Sequence, residues 1–469
     1  MSNKNLVTYG AKVSQVEQAY YAPISVIENT NQLVGTLYCF LSQVDPWSDE
    51  NNPTAPTQTQ SYIKQIFNNM FVAKQINSSD ISPVTQRIDW SYNTVYDYYQ
   101  DNIDMFQVGA DGLFVLHFYV RNRYDQVFKC LWNNNGQPSK YEPYFQPGNY
   151  KTNNIFQGAG DGYKWKYMYT IDTGSKQKFL DNDWMPIPVG QNTPNPVQSD
   201  AGFGDIEVIN VLTPGSGYDT ANSIVTVNVT GNGTGVVANP IIVNGSVTDV
   251  VVVSPGTSYS YANASISSSN TALGSGATLI APTSPIGGHG FDPISELGCS
   301  RVMFTSQFSG GETIDGINYV PTDIDYRQVG LVINPLAYVT SGNTTTIETA
   351  SKPIYKIATE LTVSSGFGQF TSDEIIYQGS SLNNSTFLGT VLDHDPITNI
   401  VKVINTSGTF TINAPLYGVS SGTIRTLFSY QNSPQGFIPF SGNIAIIDNR
   451  TGVQRSSDGI EIFKFVVGY

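Results

Sequence analysis

The chain has 469 residues, enough for two to four domains with separate cores, and carries a net charge of -14 although only 13% of its residues are charged. An acidic balance without a cationic stripe excludes a phosphate-backbone partner, so no nucleic acid is expected. No apolar run reaches the roughly 18 residues of a membrane span, and the N-terminus, MSNKNLVTYG, lacks a signal-peptide core.

Cys39, Cys130 and Cys299 are odd in number, far apart and set in apolar contexts. That pattern excludes a disulfide framework and a CxxC metal site, and predicts three reduced core thiols in a protein made and kept in a cytosol. Val, Ile, Tyr, Phe and Thr are plentiful and the strong helix formers thin, so the expected class is mainly β. With so few ions, Asn, Ser, Thr, Gln and Tyr must cover the surface. These groups shed water more readily than Lys or Glu, which together with 28 Tyr and 23 Phe suits a protein with many protein neighbours.

In chain order, Ile63, Ile66, Phe67, Met70 and Phe71 recur at three- and four-residue steps and predict an amphipathic helix over Tyr62 to Lys74. Aromatic strands are expected at Leu113 to Val120, Val127 to Trp132 and Tyr163 to Ile171, with a turn at Asn133-Asn134-Asn135-Gly136. This first part is α+β.

From Gly204 to Pro285 no Lys or Arg occurs, and an internal repeat appears. Pro214-Gly215-Ser216-Gly217-Tyr218 returns 41 positions later as Pro255-Gly256-Thr257-Ser258-Tyr259, and Gly233-Thr234-Gly235 returns at the same offset as Gly274-Ser275-Gly276. Each copy predicts a strand (Ile206 to Leu212, Val247 to Val253), a Pro-Gly turn, a second strand and a Gly-x-Gly turn. A strand is then expected at Val329 to Ile333, before Asn334-Pro335. A weaker repeat follows: Phe370-Thr371, Tyr377 and Ser381 are echoed 40 positions later by Phe410-Thr411, Tyr417 and Ser421. Two closing strands are expected at Ile444 to Ile447 and Ile460 to Val467, joined through Asp448-Asn449-Arg450.

Several strings mimic catalytic motifs. Asp172-Thr173-Gly174-Ser175 after an apolar run looks like an aspartic-protease loop, but the second aspartate motif of a single-chain enzyme is missing, and a strand-to-turn junction is the simpler reading. Gly418-Val419-Ser420-Ser421-Gly422 formally matches a nucleophile elbow, yet Thr423 to Phe428 predicts a strand where a helix is required, which makes Ser420 part of a hairpin turn. Gly231-Asn232-Gly233-Thr234-Gly235 precedes a strand, Pro240 to Val243, rather than the helix of a phosphate loop. His117, His289 and His394 stand far apart and form no zinc pair. His289 with Asp292 and Glu296 suggests at most a mixed oxygen and nitrogen site, set against a hydrogen-bonded histidine in the flexible turn Gly287-Gly288-His289-Gly290; Asp393-His394-Asp395 predicts an exposed turn before Pro396. A glycosidase-type acid pair has no support in spacing. No catalytic residue, cofactor, metal or small-molecule ligand is assigned, and no enzyme is expected.

Short segments spread along the chain resemble the wedge subunit of T-even-like contractile phage baseplates known as gene product eight: Asp45-Pro46-Trp47-Ser48, Arg87-Ile88-Asp89-Trp90, Phe128-Lys129-Cys130-Leu131, Gly160-Asp161-Gly162-Tyr163-Lys164-Trp165-Lys166-Tyr167, Arg327-Gln328-Val329 through Asn334-Pro335-Leu336, and Asp448-Asn449-Arg450. The resemblance is interrupted at the two repeats, which the compact members of that family lack. It therefore implies a discontinuous core with two small inserted all-β modules: residues 1–203, 286–350 and 431–469 as core, 204–285 as a duplicated β-domain and 351–430 as a second β-module. It also implies a homodimer without catalysis, located in the tail baseplate of a virion, assembled in the host cytoplasm and contacting gene products six, seven, ten and fifty-three. The alternative is a peripheral tail or receptor-binding protein whose modules bind surface glycans.

Overall fold

Antiparallel ladders make up much of the described structure, and the protein is mainly β. The computed structural model describes residues 8–21, 35–42, 46–146, 155–157, 160–189, 196–270, 274–310, 312–314, 317–318, 320, 322, 324–341, 344–431, 438 and 440–469. Two compact units divide the chain: Met1–Gln18, Ser82–Met303 and Val466–Tyr469 form one, and Ala19–Ile81 with Phe304–Phe465 the other. The three segments that the resemblance joins into one core are thus shared between both units.

In the first unit, the strands Tyr119–Arg121, Gln126–Asn133, Tyr163–Thr170 and Ile155–Gln157 form a sheet in that order. Gln126–Asn133 is buried along its whole length, and Cys130 lies in it as a free thiol. The turn at Asn134, Asn135 and Gly136 is left-handed at all three residues, a conformation that Asn and Gly adopt most easily. The strand expected from Leu113 is shorter than its apolar pattern suggests: Tyr119–Arg121 forms the ladder, and Phe114 makes only an isolated bridge to Val108. Leu113 and Phe114 instead give their backbone N–H groups to Asp111 and Gln86 side chains, so the preceding apolar residues pack as a loop.

The segment from Asn210 to Ile280 forms six strands in three ladders: Asn210–Ser216 with Ser275–Ile280, Val225–Gly231 with Ala262–Ser268, and Thr234–Val243 with Ser246–Thr257. Every ladder joins one copy of the repeat to the other, so neither copy has a partner of its own. The offset of 41 survives in three dimensions. Tyr218 N–H donates to Gly245 O at 3.0 Å, and Tyr259 N–H to Gly204 O at 3.1 Å. The Pro-Gly pairs, expected as turns, lie within strands. Gly215 and Gly256 have φ of +60° and +66°, and a Cβ on either would stand 2.5 to 2.7 Å from the opposing backbone, so glycine permits a left-handed residue at a close approach within the paired strand rather than a reversal. Ile206 to Ile209 are buried but outside the ladder, which starts only at Asn210, because Ile206 bonds to Pro255 O instead.

In the second unit a five-stranded sheet has the order Ile354–Lys356, Met70–Ile76, Leu37–Ser42, Asp325–Ile333, Asn443–Gln454. The helix expected to reach Lys74 spans Gln60–Asn69, capped by the Thr59 hydroxyl accepting from Tyr62 N–H. Ile66 and Phe67 pack on Tyr38, Phe40 and Val332. Met70 and Phe71 continue the apolar stripe but belong to the strand, because Met70–Ile76 finds ladder partners on both sides. Asp448-Asn449-Arg450 does not separate strands but lies inside Asn443–Gln454.

Thr359–Val363, Ile400–Gly408, Ser385–Asp395, Ile375–Gly379, Pro415–Gly418 and Ile424–Gln431 close, in that order, into a six-stranded barrel. Exchanging its first three strands for its last three leaves this ring order unchanged, which is the structural form of the 40-residue echo. Tyr377 and Tyr417 sit opposite one another with rings stacked at 5.2 Å. Leu361, Val363, Ile376, Phe387, Val401 and Leu427 fill the interior. Asp393-His394-Asp395 is not an exposed turn: it ends the strand Ser385–Asp395, and His394, 3% exposed, accepts from Phe370 N–H through Nδ1 at 3.0 Å. Burial first, and then the nearby Arg425 charge, lower its pKa.

Candidate functional site

The densest chemistry lies on one face of the sheet of the first unit. Lys129 and Lys166 are direct cross-strand partners, and Lys164 lies two residues from Lys166 on the same face. Three lysines on one strand pair normally mark a solvated surface. Here each is buried against a carboxylate: Lys129 Nζ to Glu296 at 3.0 Å, Lys166 Nζ to Glu207 at 2.9 Å and Lys164 Nζ to Asp249 at 2.8 Å. Glu207 and Asp249 belong to the segment without a basic residue, so two of the pairs fasten the duplicated module to the sheet. A cleft of about 180 Å³ beside them is lined by Ile155, Gln157, Lys164, Glu207 and Val250 to Val252.

Glu296 is placed by the short helix Pro293–Glu296, whose N-cap Asp292 accepts from Ile294 N–H. Its other oxygen accepts from Gly290 N–H at 2.7 Å. Gly290 has φ of +87°, and a Cβ there would lie 2.2 Å from Val197, so only glycine brings this N–H to the carboxylate. Lys129 Nζ also meets His289 Nδ1 at 3.1 Å and the Tyr99 ring at 4.2 Å. Since Lys129 donates to Nδ1, the proton of the neutral imidazole sits on Nε2. His289 is therefore not in a flexible turn; it is 2% exposed. Burial first and Lys129 second push its pKa down to about 3. Burial works to raise the Glu296 pKa, but the Lys129 charge overcomes it and holds the carboxyl at about 2. Glu207, with Lys166 as its cation, is instead raised by burial. The cluster is charge-balanced and spends its donors internally, an arrangement suited to fixing elements in place.

The residues that carry the resemblance gather in two groups, one per unit. In the first, Arg87 pairs with Asp89 at 2.6 Å; Asp89 also binds Arg121, which reaches Asp125 and through it Lys176. Trp90 Nε1–H donates to Ser139 Oγ at 3.0 Å. Asp161, 5% exposed, gathers the same loop, accepting from Lys140 N–H at 2.8 Å, Tyr141 N–H at 3.1 Å and Tyr163 N–H at 3.2 Å. Gly160 and Gly162 flank it with φ of +133° and +74°, and Tyr163 stacks on the buried Trp165 at 5.4 Å.

In the second unit, Trp47 Nε1–H donates to Arg450 O at 2.9 Å across 403 positions of sequence. Asn449 accepts from Gln328 and donates to Thr54 O and Tyr62 Oη, while Arg450 pairs with Asp448. Asn334, with φ of +50°, accepts from Thr36 N–H at 2.7 Å, and Pro335 O accepts from Ala350 N–H. Pro46 is exposed beside Trp47; Asp45 lies outside the described residues. These residues pin turns and strand crossings.

The catalytic look-alikes have other duties. Asp172 is not in a plain turn but caps the helix Thr173–Phe179, accepting from Ser175 N–H, and the hydrogen bonds from Ser175 lower its pKa. Ser420 and Ser421 both donate hydroxyls to Glu374, in the turn between Pro415–Gly418 and Ile424–Gln431. His117 gives its backbone N–H to Asp97. Among the described residues no group of three His, Cys, Asp or Glu is placed to hold a metal ion.

No known protein family matches this chain, and no curated protein does. The lysine cluster escaped the sequence reading, although a signal was present: Lys164 and Lys166 alternate with aromatics in a strand, and the basic-free segment contains Asp205, Glu207 and Asp249 without intrinsic partners.

Glu374 offers a local check. It accepts from Ser420 N–H, Ser421 N–H, Thr371 N–H and both serine hydroxyls. Glu374→Ala is expected to lower barrel stability by roughly 2 kcal/mol, since charge-assisted bonds and the donors they satisfy are lost together. Thermal unfolding of the full chain measures it; an unchanged midpoint would remove the carboxylate from the barrel's determinants.

Proposed function

We propose that the protein is a non-enzymatic structural subunit of a contractile-tail phage baseplate wedge, acting as a homodimer that holds neighbouring wedge proteins in place within the virion. The observation that carries this reading is the use made of the resembling segments. Trp47 with Arg450, and Trp90 with Ser139 and Asp161, tie distant chain segments together instead of lining a reaction cleft. A charge-poor surface with exposed aromatic residues such as Tyr92, Tyr124 and Phe203 adds to it, because such a surface sheds water cheaply on assembly.

Co-expression with the wedge proteins corresponding to gene products six, seven, ten and fifty-three is expected to yield a complex that survives gel filtration, and light scattering is expected to give a dimer for the protein alone. A monomer that binds none of them would end this reading. Glycan binding by the modules ranks second. The outward face of Thr234–Val243 and Ser246–Thr257 presents Val237, Ile241, Val243, Val251 and Val253, which donate nothing to a sugar hydroxyl.

A further inference from the structure

The six-stranded barrel has two unlike ends. Its chain enters at Thr359 and leaves at Gln431, which lie at one end, since Glu360 is opposite Gln431. Thr362 and Asp395 both face Ile400, Ile376 faces Gly418, and Tyr417 faces Ile424. The connections 364–374, 396–399 and 419–423 therefore all emerge at the other end, remote from the point of attachment. Each carries an apolar residue turned outward: Phe367 is 102% exposed, Ile397 90% and Val419 49%.

These tips are held firmly. Arg425 donates to Ser364 O and Gly368 O on either side of Phe367. Asp395 accepts from Ile397 N–H at 2.8 Å, and Glu374 accepts from Ser420 and Ser421 N–H in the third loop. An exposed apolar group on a backbone that is already fixed loses little further entropy on binding.

We propose that this end of the barrel is a docking tip for a protein partner that offers an apolar pocket to Phe367 and a basic rim around it. Two observations select this occupant. Several polar side chains here already donate within the barrel, Ser420, Ser421 and Gln369 from exposed or half-buried positions and Arg425 from a buried one, while Thr398 bonds to Asp395 in its own turn, which leaves fewer donors for a sugar beside the apolar tips. The charge beside the tips is acidic. Four carboxylates, Asp373, Glu374, Asp393 and Asp395, stand at this end against two cations, Lys402, which is paired with Asp393, and Arg425; Glu374 and Arg425 are both buried, so the balance is acidic. A basic rim complements that field, and an anionic lipid surface opposes it. The inference reaches beyond the wedge reading, because it names a surface and a partner chemistry without depending on which assembly the partner belongs to.

The test places a photo-crosslinking phenylalanine analogue at position 367 of the full chain, and in a parallel sample at Ile412, an exposed residue outside these three connections, in cells that naturally make the protein. One discrete protein adduct from position 367 and none from 412 is expected. The purified adduct protein is then expected to bind the intact chain about thirtyfold more weakly after Phe367→Ser, the scale of a buried aromatic anchor, and equally well after Ile412→Ser. The absence of an adduct, or equal binding to both variants, overturns the proposal. So does Phe367-dependent binding to phosphatidylcholine and phosphatidylglycerol vesicles, or to arrayed glycans. Failure to bind any wedge protein would defeat the function proposed above and leave this result standing.

Discussion

Lys129→Met is expected to lower the stability of the full chain by about 3 to 5 kcal/mol, because it strands the Glu296 carboxylate in a site where water does not reach it. Glu296 would keep the Gly290 and Asp292 N–H groups, but two neutral donors on its other oxygen do not replace an ammonium 3.0 Å away. Adding Glu296→Gln is expected to restore much of the loss: the amide oxygen still accepts from Gly290, and no unpaired charge remains buried. Urea unfolding of wild type, single and double variants measures both effects. A single variant within about 1 kcal/mol of wild type would mean that the pair carries no such coupling.

Acid is expected to loosen the same cluster, in two stages whose direction is fixed by the sign of the shifts. His289 has a pKa of about 3 in the folded protein against an ordinary 6.5, so the unfolded chain takes up its proton first as pH falls. Stability is then lost by roughly 1.4 kcal/mol per pH unit below 6.5. Glu296 is held at about 2 against an ordinary 4.5, so its contribution is complete above 4.5 and drains away from there towards 2. Both act in the same direction and the loss steepens below 4.5. His289→Gln is expected to flatten the profile between 6.5 and 4.5 while leaving the steeper part. Unfolding midpoints across that range decide it: a variant as acid-sensitive as wild type between those values would show that the proton is taken up elsewhere.

Much of the candidate site was invisible from sequence for a plain reason. Lys129 and Glu296 are separated by 167 positions, and Lys166 and Glu207 by 41, so nothing local marks them as partners. His394 was misplaced for the same reason. Its acidic neighbours and the following proline look like a turn, while its burial depends on the Phe370 N–H delivered by the connection 364–374. Conversely, Asp172 and Ser420 sit in strings that resemble catalytic motifs because helix caps and tight turns use the same small polar residues.

What the chain's own order of residues determined was local or periodic: a mainly β class from β-branched and aromatic content, three reduced buried thiols, and two duplications visible as offsets of 41 and 40 residues. Those features survive because turn geometry and strand preference act over a few neighbouring positions. Tertiary structure alone decided that the helix stops at Asn69, that each repeat copy pairs with the other and not with itself, and that buried lysines clamp the module to its sheet. A strand's partner, and a buried charge's counterion, come from wherever the fold brings them, and here the clamp lysines and the strand Asn210–Ser216 take theirs from distant parts of the chain.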